Sequence, residues 1–330
     1  MHQESVPAGT LLIQIQTGLF QSLASLISIS LLGVDFPHMI CDNRYTMIID
    51  FHTHLFPPQI IQQREEYFQR DRWFGLLYEN PQAKMATAED LIVSMDQAGV
   101  AACVAFGFAW RDNRLCQQHN DYILQAMIRY PGRIIGFAMV NPSQGESALL
   151  EVERCANEGM RGVGELMPDG QGYTLQDESV MRPVMEWLAD RDMPLLIHSS
   201  EPVGHAYHGK GTMTPEKVYR FIQHYPETTI ILAHWGGGLL FYELMSKVRE
   251  ACARVYYDTA ASLFLYDDRI FSLAATLAED RILWGTDYPL IGHDRFLRRV
   301  ESAGLSPTAM KKILGGNAAR LLGLSQGECP

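Results

Sequence analysis

Short apolar runs alternate with longer amphipathic stretches along the chain from residue 46 onward. The short runs predict β-strands, and the longer stretches, whose apolar residues recur every three or four positions, predict helices. The predicted strands are eight segments, residues 46–55, 101–109, 134–141, 161–167, 194–200, 229–235, 255–261 and 282–288. The clearest predicted helices are residues 88–98, 113–130, 181–191, 216–224 and 241–251.

This alternation indicates an α/β protein and favours one architecture. Eight strand-then-helix units over about 280 residues match a (β/α)8 TIM barrel, whereas a doubly wound open sheet more often has about five to seven strands. The sequence has no GxGxxG motif after the first predicted strand and no GxxxxGK[ST] motif. A nucleotide-binding site therefore lacks its usual sequence basis.

The first 46 residues differ from the rest of the chain. Residues 5–34 carry no charged side chain, and the first lysine or arginine is Arg44. A signal peptide or membrane span is disfavoured, because the apolar run has no positive flank and is interrupted by polar residues. We predict that residues 1–46 are a dispensable extension or an overextended gene start, and that residues 47–330 form the barrel domain.

The charge of the chain limits the classes of partner, and its cysteines indicate the cellular compartment. The 27 Lys and Arg residues against 38 Asp and Glu residues give a net charge of −11, and no basic run interrupts it. Nucleic acids and anionic membranes are therefore disfavoured as partners, which leaves a small-molecule substrate. The six cysteines are scattered without a CxxC pair, which predicts reduced thiols and a cytoplasmic protein.

Acids and histidines fall at the carboxyl ends of the predicted strands, where barrel enzymes build their active sites. The first strand reads MIIDFHTHL, and strict alternation predicts Asp50, His52 and His54 inward, with Ile49 and Phe51 facing the helices. The fourth, fifth, sixth and eighth strands end with Glu165, His198, His234 and Asp287.

This convergence predicts a metal site. Buried together and unpaired, so many imidazole and carboxylate groups would be costly, and a divalent cation is the usual compensation. A mixed histidine and carboxylate set without thiolate suits Zn²⁺ first, with Mn²⁺, Fe²⁺ or Co²⁺ also possible. The number of ions, one or two, stays open.

Five segments together resemble a known family. They are IIDFHTHLFP at residues 48–57, LLIHSS at 195–200, LAHWGG at 232–237, WGTDYP at 284–289 and GNAARLLGL at 316–324. They are similar to the amidohydrolase superfamily, in particular the amidohydrolase-2 group that contains aminocarboxymuconate-semialdehyde decarboxylase-like enzymes. The resemblance covers residues 47–324 and also implies a possible homodimer.

The resemblance implies roles for the site residues. His52, His54, His198 and Asp287 are expected to hold the metal, and His234 is expected to be catalytic or to bind a second metal. Glu165 has two open roles. It bridges two metals, as a carboxylated lysine or a glutamate does in binuclear relatives, or it hydrogen-bonds a ligand histidine.

The favoured function is a metal-dependent hydrolase that cleaves a small amide, ester or lactone-type bond. A cation lowers the pKa of bound water to about 7. Asp287 would then carry the proton from this water to the leaving group, while His234 stabilises the oxyanion. One alternative is non-oxidative decarboxylation of a carboxylated aromatic or muconate-type substrate, with one metal and His234. The other alternative is a non-catalytic binding module.

Two long loops are predicted to confer specificity. The first, residues 56–85, contributes Arg72 as a candidate clamp for a substrate carboxylate. The second, residues 199–214, contributes His205 and Lys210 as candidate substrate contacts.

Overall fold

The structure is a computed structural model that describes residues 47–324. The extension predicted for residues 1–46 lies outside the described residues, so its boundary with the barrel stays a prediction. Within residues 47–324, no helix combines the length and apolar character that a membrane span needs. The cysteines of this range, Cys103, Cys116, Cys155 and Cys252, are buried free thiols.

Eight parallel strands form the centre of the fold. Three pair in the order β1-β2-β3, and five pair in the order β4-β5-β6-β7-β8. The strands are β1 (Ile49–His54), β2 (Ala102–Phe106), β3 (Ile134–Gly136), β4 (Val163–Leu166), β5 (Leu195–Ile197), β6 (Ile230–Leu232), β7 (Val255–Asp258) and β8 (Ile282–Leu283).

Backbone hydrogen bonds close the two sheets into one barrel. Beyond β3, Ala138 pairs with Val163 of β4. On the other side, Thr53 of β1 pairs with Tyr288, and the Phe51 amide donates to the Trp284 carbonyl at 2.7 Å. The predicted (β/α)8 TIM barrel is confirmed.

Helices surround the strands. They are α1 (Pro58–Gln62), α2 (Arg64–Phe68), α3 (Arg72–Tyr78), α4 (Ala88–Ala98), α5 (Asn113–Arg129), α6 (Glu146–Asn157), α7 (Pro168–Gln171), α8 (Glu178–Ala189), α9 (Pro215–His224), α10 (Leu239–Tyr242), α11 (Ser246–Ala251), α12 (Ser262–Leu265), α13 (Arg269–Ala278), α14 (His293–Glu301), α15 (Pro307–Lys311) and α16 (Asn317–Leu321). Short 3₁₀ turns at Pro142–Gln144, His234–Gly238 and Glu279–Arg281 and a π turn at Lys312–Gly316 complete the set.

The apolar core has two layers. One packs the outer faces of the strands against the helices. The other fills the barrel, where the rings of Phe51 and Phe137 meet at 5.6 Å although β1 and β3 are not neighbours. Ala318 and Ala319 of α16 pack against this inner layer. The barrel is thus a filled core rather than a pore, as usual for this fold.

The facing predicted for β1 is wrong for three residues. Asp50 pairs with Cys103 of β2 and Thr53 with Ala105, so two residues of β1 oppose one of β2. This β-bulge interrupts strict alternation. Ile49 and Phe51 therefore belong to the inner core layer, and Asp50 turns away from the barrel centre toward His293 of α14. His52 and His54 point inward as predicted.

The helix predicted over residues 241–251 is interrupted. It occurs as α10 and α11, separated by a turn at residues 243–245. The turn brings the Glu243 carboxylate into the core, where it accepts hydrogen bonds from the Tyr257 hydroxyl, at 2.6 Å, and from Arg281. This buried network replaces the continuous amphipathic helix that the apolar spacing indicated.

Candidate active site

The predicted site residues meet at the carboxyl ends of the strands. His52 and His54 end β1, and Glu165 lies in β4. The remaining three follow strand ends, with His198 directly after β5, His234 after β6 and Asp287 after β8. All but His52 line one cavity of about 480 Å³, and His52 lies beneath it, fully buried.

A second bulge aims Glu165 into the barrel. Val163 pairs with Leu195 and Leu166 with Ile197, so two residues of β4 again oppose one of β5. Gly164 has a φ of +123°, and a Cβ at this position would lie 2.2 Å from the Leu196 carbonyl oxygen. Only glycine fits such a close backbone approach. Bulges at both β1 and β4 thus turn functional side chains toward one point.

Four side chains surround a space suited to one cation. The Nε2 atoms of His52 and His54 are 3.2 Å apart. Asp287 Oδ1 lies 3.5 Å from His54 Nε2 and 3.9 Å from His52 Nε2. Glu165 Oε2 lies 3.5 Å from His52 Nε2 and 3.6 Å from His54 Nε2. Two ligands at about 2.1 Å from one metal are separated by roughly 3 to 3.4 Å. The histidines have this spacing, so the donor set fits a divalent cation.

A neighbouring group shares the Glu165 carboxylate. Its Oε1 atom lies 3.0 Å from His198 Nδ1 and 3.6 Å from His234 Nε2. The rings of His198 and His234 are 4.8 Å apart. Glu165 therefore faces His52 and His54 with one oxygen and His198 and His234 with the other, a placement compatible with both roles left open for it.

Asp258, at the end of β7, orients His52. Its Oδ2 atom accepts a 2.8 Å hydrogen bond from His52 Nδ1, and both side chains are fully buried. Its Oδ1 atom accepts the backbone N–H groups of His234 and Ala260 at 3.0 Å. With its Nδ1 atom as donor, His52 presents the Nε2 lone pair to the cation space, the usual arrangement for a metal-binding histidine. Asp258 falls within the seventh predicted strand, residues 255–261, and was not predicted as a site residue.

The side chains shift one another's pKa values. Burial disfavours the cation of His52, but Asp258 and Glu165 outweigh burial and raise its pKa well above the usual value. Burial likewise opposes the charged form of Glu165, yet His52 and hydrogen bonds from His198 and His234 hold its pKa well below its usual range. The pKa of His234 rises to about 9, because Glu165, Asp287 and Asp258 overcome burial. Burial and the neighbouring His52 lower the pKa of His54.

The predicted substrate contacts separate into two groups. His205 lines the cavity. Arg72 does not, because α3 turns Trp73 and Leu77 to the cavity and leaves Arg72 exposed. Lys210 also lies outside the lining, because its Nζ atom donates to the carbonyls of Val203, at 2.8 Å, and His205, at 3.3 Å, within its own loop.

The sequence did not single out the aromatic wall of the cavity. The aromatic side chains of this wall are Trp73, Tyr78, Phe108, Tyr207 and Phe264. They come from the loops after different strands, so no spacing rule brings them together. The two long loops were identified as specificity loops, and three of these residues lie in them.

Comparison with known proteins identifies the family. The Amidohydrolase family model matches residues 49–324, and the chain belongs to this family. It is 25% identical over 282 residues to a gamma-resorcylate decarboxylase of a Polaromonas species, covering 72% of this chain and 84% of the relative. It is 26% identical over 245 residues to a 2-amino-3-carboxymuconate-6-semialdehyde decarboxylase of Dictyostelium discoideum, covering 65% of this chain and 68% of the relative.

A solved structure has the same fold. This is the 5-carboxyvanillate decarboxylase of Novosphingobium aromaticivorans, in complex with manganese and 4-hydroxy-3-methoxy-5-nitrobenzoic acid. The TM-score is 0.71 at 20% identity, and the match covers 86% of this chain and 97% of the other.

These comparisons confirm the amidohydrolase resemblance and correct the predicted function. The hydrolase prediction is wrong, because the relatives identified by sequence are decarboxylases rather than hydrolases. Family membership makes the chain an enzyme, so the binding-module alternative also falls. The catalytic role predicted for Asp287 was argued for hydrolysis, and the comparisons do not test it, so it stays a prediction.

Proposed function

We propose that this protein is a metal-dependent, non-oxidative decarboxylase of small aromatic carboxylates. The observation that carries the proposal is the juxtaposition of a cation-binding set with His234, a proton donor, in one largely apolar cavity. Its volume of about 480 Å³ suits a single-ring substrate. The names of the similar proteins point to the same reaction type.

His52, His54 and Asp287 would hold the cation, with His198 and Glu165 beside them. A divalent cation held there would supply positive charge that binds the substrate's carboxylate beside His234. Zn²⁺ and Mn²⁺ both accept imidazole and carboxylate ligands. The manganese bound to the 5-carboxyvanillate decarboxylase makes Mn²⁺ the first ion to test.

His234 would deliver the proton. Its Nδ1 atom donates to the Ala260 carbonyl at 3.0 Å, so the Nε2 atom faces the cavity and Glu165. Burial opposes the cation, but Glu165, Asp287 and Asp258 raise the pKa of His234 to about 9, which favours the protonated ring that a proton donor needs. The Nε2 proton adds to the ring carbon that carries the carboxylate. The bond between that carbon and the carboxylate breaks, its electron pair returns to the ring, and CO₂ leaves. Water then restores the proton to His234.

The cavity wall favours an aromatic monocarboxylate over a muconate-type substrate. Trp73, Tyr78 and Phe108 offer flat apolar surfaces that suit a ring. Among the described residues that line the cavity, Lys84 is the only lysine or arginine, and its Nζ atom donates to the Leu290 carbonyl at 3.1 Å. A second carboxylate at a distance from the metal would therefore meet little positive charge.

The test is turnover of a defined panel by the Mn²⁺-loaded protein. The panel contains 2,6-dihydroxybenzoate, other hydroxybenzoates with a carboxylate beside a hydroxyl group, and 2-amino-3-carboxymuconate-6-semialdehyde. We expect CO₂ release from at least one hydroxybenzoate and little from the muconate. His234→Asn should lower kcat by about 100-fold or more at unchanged metal content, because it removes the general acid.

Two outcomes would contradict this proposal. Absence of CO₂ release from the whole panel, with metal bound, would refute aromatic decarboxylation. Full activity of His234→Asn would refute the proton-donor role.

We also propose a cytoplasmic location, which the scattered cysteines predict, and a homodimer, which the family resemblance implies. The buried free thiols support a reducing compartment. Light scattering of the purified protein tests the homodimer, and a monomeric mass would contradict it.

A further inference from the structure

A buried polar cluster outside the barrel interior lies directly behind the proposed metal ligands. It contains Asp50 of β1, Cys103 of β2, Thr286 and His293 of α14. All four side chains are fully buried. The proposed reaction does not use this cluster.

The Asp50 carboxylate collects four donors. Its Oδ1 atom accepts the backbone N–H groups of His52, at 2.9 Å, and Thr286, at 3.0 Å. Its Oδ2 atom accepts the Thr286 hydroxyl and lies 3.1 Å from His293 Nε2. Because these donors occupy both carboxylate oxygens, and Cys103 Sγ is 3.8 Å from His293 Nε2, the cluster is a satisfied hydrogen-bond network rather than a second metal site.

The network is continuous with two proposed metal ligands from different strands. The His52 amide lies in the bulge of β1, where the regular ladder is interrupted, and Asp50 supplies its acceptor. Thr286, whose amide donates to Asp50, directly precedes Asp287, and Asp287 has a φ of +63°. In turn, the Asp287 amide donates to the His52 carbonyl at 3.0 Å. The Asp50 carboxylate therefore joins the backbone segments that carry His52 and Asp287.

His293 holds the Asp50 carboxylate from the helix side. Its Nδ1 atom lies 2.7 Å from the Ser94 hydroxyl of α4, and its ring stacks on Tyr288 with centroids 5.1 Å apart. Both ring nitrogens and one ring face are thus engaged, so the imidazole has little freedom to turn. This places a rigid donor against Asp50.

We propose that Asp50, Thr286 and His293 are positioning residues for the metal centre. They fix the spacing between His52 and Asp287 through the backbone and touch neither metal nor substrate. This inference rests on the metal site of the proposed function. Because partners that orient metal ligands typically contribute about 10- to 100-fold to metal affinity, weakening the network should weaken metal binding measurably.

The experiment measures the Mn²⁺ dissociation constant by titration calorimetry, together with the melting temperature, for four variants. Thr286→Val removes one hydroxyl donor at nearly constant volume, and His293→Phe removes the imidazole donor while keeping a ring against Tyr288. Thr286→Ser is the conservative variant that keeps the hydroxyl. Glu151→Gln is the matched control, because Glu151 is also a buried carboxylate but bonds Asn120 and Arg154 of α5 and α6.

We expect Thr286→Val and His293→Phe to weaken Mn²⁺ binding by about tenfold or more, at the lower end of the range for such partners. Thr286→Ser and Glu151→Gln should retain wild-type affinity. Unchanged affinity in both Thr286→Val and His293→Phe, with lower melting temperatures alone, would show a merely structural network and overturn the inference. Failure of the wild-type protein to bind Mn²⁺ or Zn²⁺ would instead overturn the proposed function, and the inference with it.

Discussion

His52 shows how several residues determine the position of one side chain. Asp258 holds its ring through Nδ1, and Asp50 holds its backbone through the amide. The HxH pattern at a strand end predicted that His52 and His54 point inward together, and this is confirmed. Their partners were not predicted. Asp258 of β7 meets His52 only when the barrel closes, and Asp50 meets the His52 amide through the bulge in β1.

Asp258→Asn tests the orientation of His52. We expect about a 10- to 100-fold loss of Mn²⁺ affinity, because the neutral amide no longer stabilises the donor tautomer of the imidazole. Titration calorimetry on the purified variant gives the dissociation constant, and far-UV circular dichroism checks the fold. A folded Asp258→Asn protein with wild-type affinity would refute the role of Asp258.

The sequence predicted the type and order of the strands and helices better than the residues at which they begin and end. All eight strands occur within the predicted segments, and the helix predicted at residues 88–98 is confirmed as α4. All eight strands are shorter than predicted, because their apolar runs continue beyond the hydrogen-bonded ladder into the following loops. His198, for example, is the first residue after β5 and lies outside the hydrogen-bonded strand.

The bulges could not be predicted from alternation. A bulge adds one residue to a period of two, and nothing in MIIDFHTHL distinguishes the inserted position. The sequence did contain one indication in β4, because Gly164 precedes Glu165, and an isolated glycine within a strand often marks a bulge. Glu165 was predicted near the carboxyl end of the fourth strand, and it lies there, in β4.

Packing between α5 and α6 gives a prediction on pH and stability. Burial disfavours the Glu151 carboxylate, but hydrogen bonds from Arg154, Asn120 and Cys155 outweigh burial and lower its pKa from 4.5. A lowered folded-state pKa stabilises the protein above the unfolded value and loses this contribution as the pH falls. Glu151→Gln should therefore lower the free energy of unfolding by about 1–3 kcal/mol at neutral pH.

The difference between wild type and Glu151→Gln should shrink as the pH falls below the usual range of a glutamate. Urea denaturation of both proteins at a series of pH values measures this difference in the free energy of unfolding. A difference that is constant from neutral to acidic pH would show that the Glu151 charge does not contribute to stability.

For the whole molecule, the sequence predicted the fold correctly but not the reaction. The repeated strand and helix units and the five family motifs were sufficient for the barrel and the superfamily. The choice between hydrolysis and decarboxylation was wrong for a physical reason. A cation held by histidines and an aspartate would bind an oxygen atom of the substrate in either reaction, so the metal-binding residues alone do not discriminate. The similarity to known decarboxylases, and not the set of metal-binding residues, corrected the reaction type.

The most direct test of the central claim is CO₂ release before and after metal removal. The protein is purified without a histidine tag, its metal content is measured, and a hydroxybenzoate substrate is added to the native, chelator-treated and Mn²⁺-reconstituted forms. We predict about one metal ion per chain in the active form, loss of CO₂ release on chelation and its recovery with Mn²⁺. Undiminished CO₂ release from protein shown to contain no metal would contradict the account.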